Sequence, residues 1–239
     1  MIRKKRPKLR ITAISLVSLS LLLLFCTVSF AATAIGRVTH LNGPLLAKKV
    51  DNTTKLLSVN SAVEQGDTLI TEKRTYARIK FTDDGEMTLR PNTQFKVSQY
   101  TFDQAKPKED NVVFNLVKGG IRSITGMIGK RGNQDSYKLE TENAVAGVRG
   151  TTYECKICAG NCGSLPNGLY FFVAAGSISV SNSGGSQTYS AGQYAYVASG
   201  TSIPKILPGN PGIDFTLPAS VGDASKDGGG PKDSGCVVR

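Results

Sequence analysis

The chain has 239 residues, of which 29 are Lys or Arg and 18 are Asp or Glu, giving a net charge of +11. Six of the basic residues and none of the acidic ones fall in residues 1–31, so the remainder has 23 basic and 18 acidic residues, a net charge of +5. Because these charges are spread along the chain and do not cluster on one element, the composition argues against a nucleic-acid partner.

An export signal is predicted at the N-terminus. Residues 1–10 are strongly basic and precede an apolar run over residues 11–30, which is the order of a signal peptide. Small side chains at Ser29 and Ala31 suit a signal peptidase, so we predict that residues 1–31 are a cleaved signal peptide. The alternative is a retained membrane anchor, since about 20 apolar residues span a bilayer. Residues 11–30 would then be the only membrane contact. Either way, we expect an exported protein of the periplasm or envelope of a Gram-negative bacterium.

The rest of the chain is predicted to be all-β. Ala77, Ile79 and Phe81 alternate with polar residues, and an Asp-Gly step at Asp84 and Gly85 then indicates a hairpin turn. Further strand candidates cover residues 95–97, 112–117, 120–124, 137–141, 151–155, 169–173, 177–181 and 194–197. This density of short strands predicts a sandwich, a barrel or a short β-solenoid.

Ordered motifs along these strands resemble the periplasmic FecR domain of envelope signalling proteins. The most specific motif is Gly147-Val148-Arg149-Gly150-Thr151, which looks like the signature of that family. Other matching motifs are Val63-Glu64-Gln65-Gly66-Asp67-Thr68-Leu69, Leu116-Val117-Lys118-Gly119-Gly120, Gly176-Ser177-Ile178-Ser179-Val180 and Ala191-Gly192-Gln193. The resemblance implies a FecR-like all-β domain over residues 36–198, solenoid-like or sandwiched, without a catalytic centre.

The ends of the chain depart from the signalling members of that family. Only ten residues precede the apolar run, so we expect no cytoplasmic anti-sigma region in this chain. Residues 199–218 form a predicted extension that contains Pro and Gly, and we expect no receptor-contacting module after the domain. Residues 219–239 have too little apolar surface to order themselves and are predicted to be a disordered tail.

Arg149 permits two interpretations. Its neighbouring glycines, Gly147 and Gly150, leave room for the guanidinium group to meet an anionic ligand. The alternative, which we favour, is that Arg149 braces nearby carbonyl groups or an acid where backbones pack closely. The signature residues are therefore expected to be structural.

Four cysteines, Cys155, Cys158, Cys162 and Cys236, are predicted to form disulfides. The first three have the spacing C-x2-C-x3-C, which could also hold zinc or an iron–sulfur cluster. A fourth ligand is missing nearby and the periplasm oxidises thiols, so disulfides are preferred, with the pairing left open. Residues 159–168 consist almost entirely of turn-forming residues and are predicted to be a stapled surface loop.

No catalytic, cofactor or metal residue is predicted. His40 is the only histidine, and no nucleophile elbow, P-loop or dinucleotide fingerprint occurs. Carboxylate pairs, such as Asp83 with Asp84 and Asp103 with Glu109, fall in turns or loops where solvation is expected.

Three functions follow from these observations. The first is a non-catalytic module that binds or scaffolds an unknown envelope protein or polysaccharide, through a sheet edge or the cysteine loop. The second is the sensor part of a transmembrane signalling system whose anti-sigma part is on another chain. The third is an envelope carbohydrate-active enzyme with two acids in a groove.

Overall fold

The computed structural model describes residues 33–131, 135–213, 217–218 and 221. The predicted signal segment 1–31 and the tail cysteine Cys236 lie outside these residues. Within the described part of the chain, no helix has the length and apolar character needed to cross a membrane.

The described residues form strands almost throughout, which confirms the predicted all-β fold. A 3-10 turn at Pro107–Glu109 accompanies them. The strands are β1 (Ala34–Asn42), β2 (Leu45–Lys48), β3 (Thr54–Leu57), β4 (Ala62–Glu64), β5 (Thr68–Thr71), β6 (Tyr76–Phe81), β7 (Glu86–Leu89), β8 (Gln94–Thr101), β9 (Asn111–Lys118), β10 (Gly120–Ile124), β11 (Tyr137–Glu140), β12 (Val145–Cys158), β13 (Gly168–Asn182), β14 (Gly185–Ser190), β15 (Tyr194–Val197) and β16 (Lys205–Leu207).

All of these strands belong to one hydrogen-bonded sheet, which curls into a half-barrel. The order along its main path is β3-β2-β5-β8-β9-β11-β12-β10-β7-β6-β1-β4. The long strand β13 pairs with β12, β14 and β15, and β15 pairs in turn with β16. Only β9 with β11 is a parallel pair, and the other pairings among the described strands are antiparallel.

Strand β12 joins two wings of the sheet. Its residues 145–147 pair with β11, while its residues 152–156 pair with β10. We call β3, β2, β5, β8, β9 and β11 the first wing, and β10, β7, β6, β1 and β4 the second wing. Because one strand serves both wings, the sheet can fold over and bury its inner face on itself.

The inner faces of the two wings pack through aromatic rings. Phe81 of the second wing lies 5.1 Å from Phe114 of the first wing, measured between ring centroids. Phe114 also contacts Phe95 at 5.1 Å and Tyr137 at 5.5 Å. All four side chains are buried, and burying one large apolar side chain stabilises a fold by about 1.5–3 kcal/mol. We call these residues, with Tyr100, the inner aromatic cluster.

The predicted hairpin is present as β6 and β7, joined by a turn at residues 82–85. The expectation that its acids are solvated holds for Asp84 but is wrong for Asp83, which is 4% exposed. The Asp83 carboxylate accepts hydrogen bonds from the backbone N–H of Gly85 and Ile128, at 3.0 and 3.2 Å, and from the Tyr100 hydroxyl at 2.9 Å. These hydrogen-bond donors therefore offset the free-energy cost of burying this carboxylate.

The C-terminal segment also packs on the sheet. Strand β16 adds residues 205–207 to the sheet within the segment predicted to be an extension. Ile213 and Val221 are buried, and the Arg78 side chain donates a hydrogen bond to the backbone carbonyl of Val221. Val221 is the one described residue of the segment 219–239, and the predicted disorder of that segment stays a prediction. The carbonyl of Val221 has a partner on β6, 143 positions earlier in the chain, which local composition cannot reveal.

Candidate binding surface at the disulfide loop

The loop between β12 and β13, residues 159–167, is fixed at its base by a disulfide. Cys158 and Cys162 are joined, with their Cα atoms 5.5 Å apart. This bond supports the predicted stapled loop. Between the two strands the chain is exposed at Gly160, Gly163 and Ser164. The disulfide closes a turn over residues 158–162, and the exposed Gly163 and Ser164 follow that turn directly.

Two asparagines hold the backbone of this loop. The Asn161 side-chain oxygen accepts a hydrogen bond from the backbone N–H of Ala159 at 2.9 Å. The Asn167 side-chain oxygen accepts one from the backbone N–H of Gly160 at 2.8 Å and so ties the two ends of the loop together. These local bonds, common for Asn in turns, leave the loop with little freedom.

Two tyrosine hydroxyls anchor the far end of the loop to the sheet. Tyr170 on β13 donates to the backbone carbonyl of Pro166 at 2.9 Å. Tyr196 on β15 donates to the backbone carbonyl of Asn167 at 2.7 Å. The two rings also contact each other, with centroids 4.8 Å apart. Burial, together with the neighbouring Tyr196, raises the pKa of Tyr170. Tyr170 therefore keeps its proton, and its hydrogen bond to the loop, at physiological pH.

These tyrosines belong to an aromatic row on the outer face of the sheet. Phe172 and Tyr194 are the next cross-strand pair and stack with centroids 4.6 Å apart. We call Tyr170, Phe172, Tyr194 and Tyr196 the aromatic floor. Residues from both sides pack on this floor: Cys162 and Leu165 of the loop, and Leu207 and Ile213 of the C-terminal segment. The loop thus lies on an apolar platform and is not suspended in solvent.

Sequence reasoning found the loop but missed the floor. Tyr170, Phe171 and Phe172 are consecutive, so no alternation shows which rings point outward. In the structure Phe171 is buried in the inner core, while its two neighbours lie on the outer face. The available signal was Tyr194 with Tyr196, two aromatic residues on one face of a strand with a small residue between them.

Cys155 does not take part in the disulfide, which corrects the prediction for this residue. It carries a free thiol, is buried in the inner core, and burial raises its pKa well above the usual value. Cys155 and Cys158 are three positions apart on one strand, so their side chains point to opposite faces of the sheet. Cys158 points outward to Cys162. Among the described residues, no group of three or more His, Cys, Asp or Glu side chains could hold a metal ion.

The signature residues form a bulge in β12. Arg149 pairs with Ser177 but Thr152 pairs with Ala175, so two residues of β12 oppose one residue of β13. Gly150 takes a φ of 58°, which favours glycine. The Thr151 hydroxyl donates to the carbonyl of Ser177 at 2.7 Å, across the bulge. The bulge lies between the segment that pairs with β11 and the segment that pairs with β10.

The two other signature positions differ in their environment. Val148 is buried in the inner core, and Gly147 pairs with Lys138 of β11. Arg149 is exposed and makes no hydrogen bond or ion pair with its side chain to any described residue. The expected bracing by Arg149 is therefore wrong within the described chain. The cause is its position at the bulge, where the strand turns the side chain towards solvent.

A buried charge cluster lies beside the aromatic floor on the same outer face. The Glu154 carboxylate is 2.7 Å from the Arg90 guanidinium and 3.2 Å from that of Arg122. Burial raises the pKa of Glu154, and the two arginines act in the opposite sense. In the sheet register, Arg122 pairs with Glu154, and Glu154 pairs with Phe172. A row of paired charges thus continues directly into the aromatic floor.

A family model matches the middle of the chain. Residues 67–164 match the family model described as FecR protein. The predicted FecR resemblance is thereby confirmed, and the match contains the signature bulge and most of the disulfide loop. No curated protein matches the sequence.

Three solved structures show a low similarity to this chain. Two crystal structures of a candidate anti-sigma factor from Parabacteroides distasonis, at 1.65 and 2.50 Å resolution, are each 10% identical, with TM-scores of 0.46 and 0.44. In both, the alignment covers 59% of this chain, which spans 59% of the length of the other. A third structure, a cell surface anchoring domain, is 21% identical over 26% of this chain and 82% of its own, with a TM-score of 0.26.

Proposed function

We propose that this chain is an exported, non-catalytic FecR-domain module of the bacterial envelope that binds an envelope protein through its disulfide loop. The match of residues 67–164 to the FecR family supports a role in the envelope. The observation that carries the proposal is the way the loop is held. One disulfide and two tyrosine hydroxyls fix an exposed turn on a rigid sheet.

A loop held in this way suits recognition. Binding residues are often placed on loops that a rigid scaffold positions. A flexible loop loses conformational entropy when it binds, and that loss weakens affinity. Here the disulfide and the hydrogen bonds have already ordered the loop, so a partner would meet it at little entropic cost. An ornamental loop would not need an anchor at both ends.

The chemistry of the loop favours a protein partner. Residues 159–167 contain no charged side chain, so the loop offers nothing that would select an ion or a strongly charged ligand. It offers exposed backbone N–H and C=O groups, amide side chains, and an apolar contact at the exposed Pro166. Protein interfaces combine such groups, with an apolar centre and hydrogen bonds around it.

A second candidate is a sensor role in a transmembrane signalling system, with the anti-sigma part on another chain. The family match favours it, because the FecR domain that the motifs of this chain resemble is a domain of envelope signalling proteins. Both candidates use the same surface and differ only in the identity of the partner. A membrane regulator or an outer-membrane receptor would indicate the sensor, whereas a structural envelope protein would indicate the scaffold.

Site-specific photo-crosslinking in living cells tests this proposal. A photoreactive residue replaces the exposed Ser164 at the loop tip, and a matched control carries it at the exposed Thr188 of β14. We expect a discrete adduct from position 164 that is absent from position 188, with mass spectrometry identifying the partner. The adduct from position 164 should weaken when Cys158→Ser and Cys162→Ser are combined, because the turn that precedes Ser164 is then no longer held by a covalent bond.

Two results would contradict the proposal. One is the absence of any adduct from position 164 in cells where the protein is exported and folded. The other is the same set of adducts from both positions, which would show that contacts at the loop are not specific.

A further inference from the structure

A groove crosses the outer face of the first wing, away from the loop. Its volume is about 510 Å³, within the range of about 300–1,000 Å³ that is common for ligand sites. We call it the lysine groove, and its wall includes Lys48, Lys96, Thr68, Gln65, Gln94 and Asn52. No acidic side chain lines it among the described residues.

The two exposed lysines lie in one row across the sheet. Lys48 of β2 pairs with Thr68 of β5, and Thr68 pairs with Lys96 of β8. Adjacent strands are about 4.8 Å apart, so the Cα atoms of the two lysines are separated by roughly twice that spacing. Both lysines are exposed, and neither side chain makes an ion pair with a described residue. The row therefore presents two positive charges with a hydroxyl between them.

Two acids beside the groove, Glu64 and Asp67, are already paired with a lysine. Lys49 lies 2.8 Å from the Glu64 carboxylate and 2.8 Å from the Asp67 carboxylate. Burial alone would lower the pKa of Lys49, but the hydrogen bonds that its ammonium group donates to Asp67 and Glu64, with the charges of these two acids, outweigh burial and raise the pKa. These two carboxylates thus satisfy Lys49 and leave the charges of Lys48 and Lys96 to face the groove.

Hydrogen-bonding groups complete the wall. The Gln65 side-chain oxygen accepts a hydrogen bond from the backbone N–H of Tyr100 at 2.9 Å, which orients the amide. Its NH₂ group can then donate to a ligand. Asn52 and Gln94 add two more amides, each of which can donate and accept. Val50, which is 77% exposed, adds an apolar part to the wall above Gly66.

We propose that the lysine groove binds an acidic polysaccharide. The carboxylates of separate sugar units would pair with Lys48 and Lys96, and sugar hydroxyls would bond to Thr68 and the amide side chains. A chain of charged sugars places several anions along one open groove, so it can pair with both lysines while its hydroxyl groups reach Thr68 and the amides between and beside them. The hydrogen bonds between the lysine ammonium groups and the sugar carboxylates are the strongest of these contacts, because both groups are charged.

This proposal does not rest on the one for the disulfide loop. The groove belongs to β2, β5 and β8, while the loop connects β12 with β13. Strands β9 and β11 lie between β8 and β12 in the sheet. The two proposals can therefore be tested separately.

Calorimetric titration of the full chain with polygalacturonate oligomers of defined length tests the proposal, with uncharged dextran oligomers as the reference ligand. We expect binding of the oligomers but not of monomeric galacturonate or dextran, with affinity that falls as salt increases. Replacing Lys48→Gln and Lys96→Gln together should weaken binding about tenfold, since two exposed ion pairs with the ligand are lost.

A matched variant separates the groove from general charge attraction. Lys130→Gln with Lys205→Gln removes the same number of charges from exposed positions outside the groove. This variant should bind the oligomers like the unaltered protein. The proposal is overturned if both double variants lose affinity equally, if the oligomers do not bind, or if dextran binds as well as polygalacturonate. None of these outcomes bears on crosslinking at the loop.

Discussion

The molecule has two groups of packed aromatic rings, and they differ in how deeply their side chains are buried. The inner aromatic cluster lies between the wings, where Phe114 is 2% exposed and contacts rings from both of them. The aromatic floor lies on the outer face, where Phe172, Tyr194 and Tyr196 are only half-buried. The same type of side chain therefore holds the fold together on one face and supports a loop on the other.

The hydroxyl groups show the difference most clearly. Tyr100 of the inner aromatic cluster directs its hydroxyl to the buried Asp83 carboxylate, in a site closed to water. Tyr196 of the aromatic floor directs its hydroxyl to a loop carbonyl at the surface. In the inner aromatic cluster, the tyrosine hydroxyl serves mainly as a hydrogen-bond partner for another buried group. In the aromatic floor, the tyrosine hydroxyl holds the loop in position on the sheet.

The largest effect is expected from removing a ring between the wings. Phe114→Ala leaves a cavity that both wings line, and such substitutions cost about 3–5 kcal/mol of unfolding free energy. Phe172→Ala on the outer face should cost about half as much or less, because that ring is already partly solvated. Urea denaturation of both variants measures the two values. Equal losses of unfolding free energy would show that the aromatic floor contributes to the stability of the fold as much as the inner aromatic cluster.

A smaller effect is expected at Tyr100. Tyr100→Phe removes a donor at 2.9 Å from a buried carboxylate, and a hydrogen bond to a charged group contributes about 1.5–3 kcal/mol. Tyr189→Phe is the matched control, since the Tyr189 hydroxyl is buried and bonds to no described residue. Thermal or urea unfolding should show a loss near 2 kcal/mol for the first variant and none for the second. A loss at Tyr189 instead would mean that its hydroxyl has a partner.

The same variant should change the response to alkaline pH. Burial, reinforced by the Asp83 charge, raises the pKa of Tyr100 far above its ordinary value of about 10. Above pH 10 the unfolded chain loses this proton while the folded chain keeps it, so the free energy of unfolding falls as pH rises. Without that titration, Tyr100→Phe should lose stability less steeply, by up to about 1.4 kcal/mol per pH unit. A slope identical to that of the unaltered protein would contradict the assigned burial of this hydroxyl.

Much of the inner face could be read from the sequence because it follows local rules. Alternation at Ala77, Ile79 and Phe81 predicts β6 correctly, and β10 and β15 begin and end at the predicted residues. Strand β14 was not predicted, because only Tyr189 among its six residues is buried. A polar strand at the edge of a sheet has little apolar pattern to detect.

The outer face could not be read in the same way, since distant segments determine it. Arg78 occupies an outward position on β6, where alternation predicts exposure, yet Val221 covers it. The lysine groove likewise depends on the pairing of β2, β5 and β8, and β2 was not predicted. The loop was predicted from its turn residues and cysteines, but its anchors come from β13 and β15. Contacts of this kind require knowledge of strand order, which a single sequence does not supply.

The smallest effect, and the most direct test of the outer floor, is expected at Tyr196. Tyr196→Phe keeps the ring contact with Tyr170 but removes the hydrogen bond to the Asn167 carbonyl. Global stability should fall by about 1 kcal/mol or less, since one exposed hydrogen bond is lost. The side chain of Asn167 accepts the backbone N–H of Gly160, so a looser Asn167 should expose that amide. Hydrogen exchange at Gly160 should therefore become about fivefold faster, while amides of β6 remain unchanged.

Tyr76→Phe provides the control for this experiment, because its hydroxyl bonds to no described residue and Tyr76 lies on β6, outside the aromatic floor. It should leave exchange at Gly160 unaltered. If Tyr196→Phe also leaves Gly160 unaltered, the disulfide alone holds the loop, and the floor serves only as packing. If exchange increases instead across the whole sheet, the aromatic floor contributes to global stability. The proposed difference in role between the aromatic floor and the inner aromatic cluster would then be contradicted. Faster exchange confined to the loop would tie the aromatic floor to the surface proposed to meet a partner.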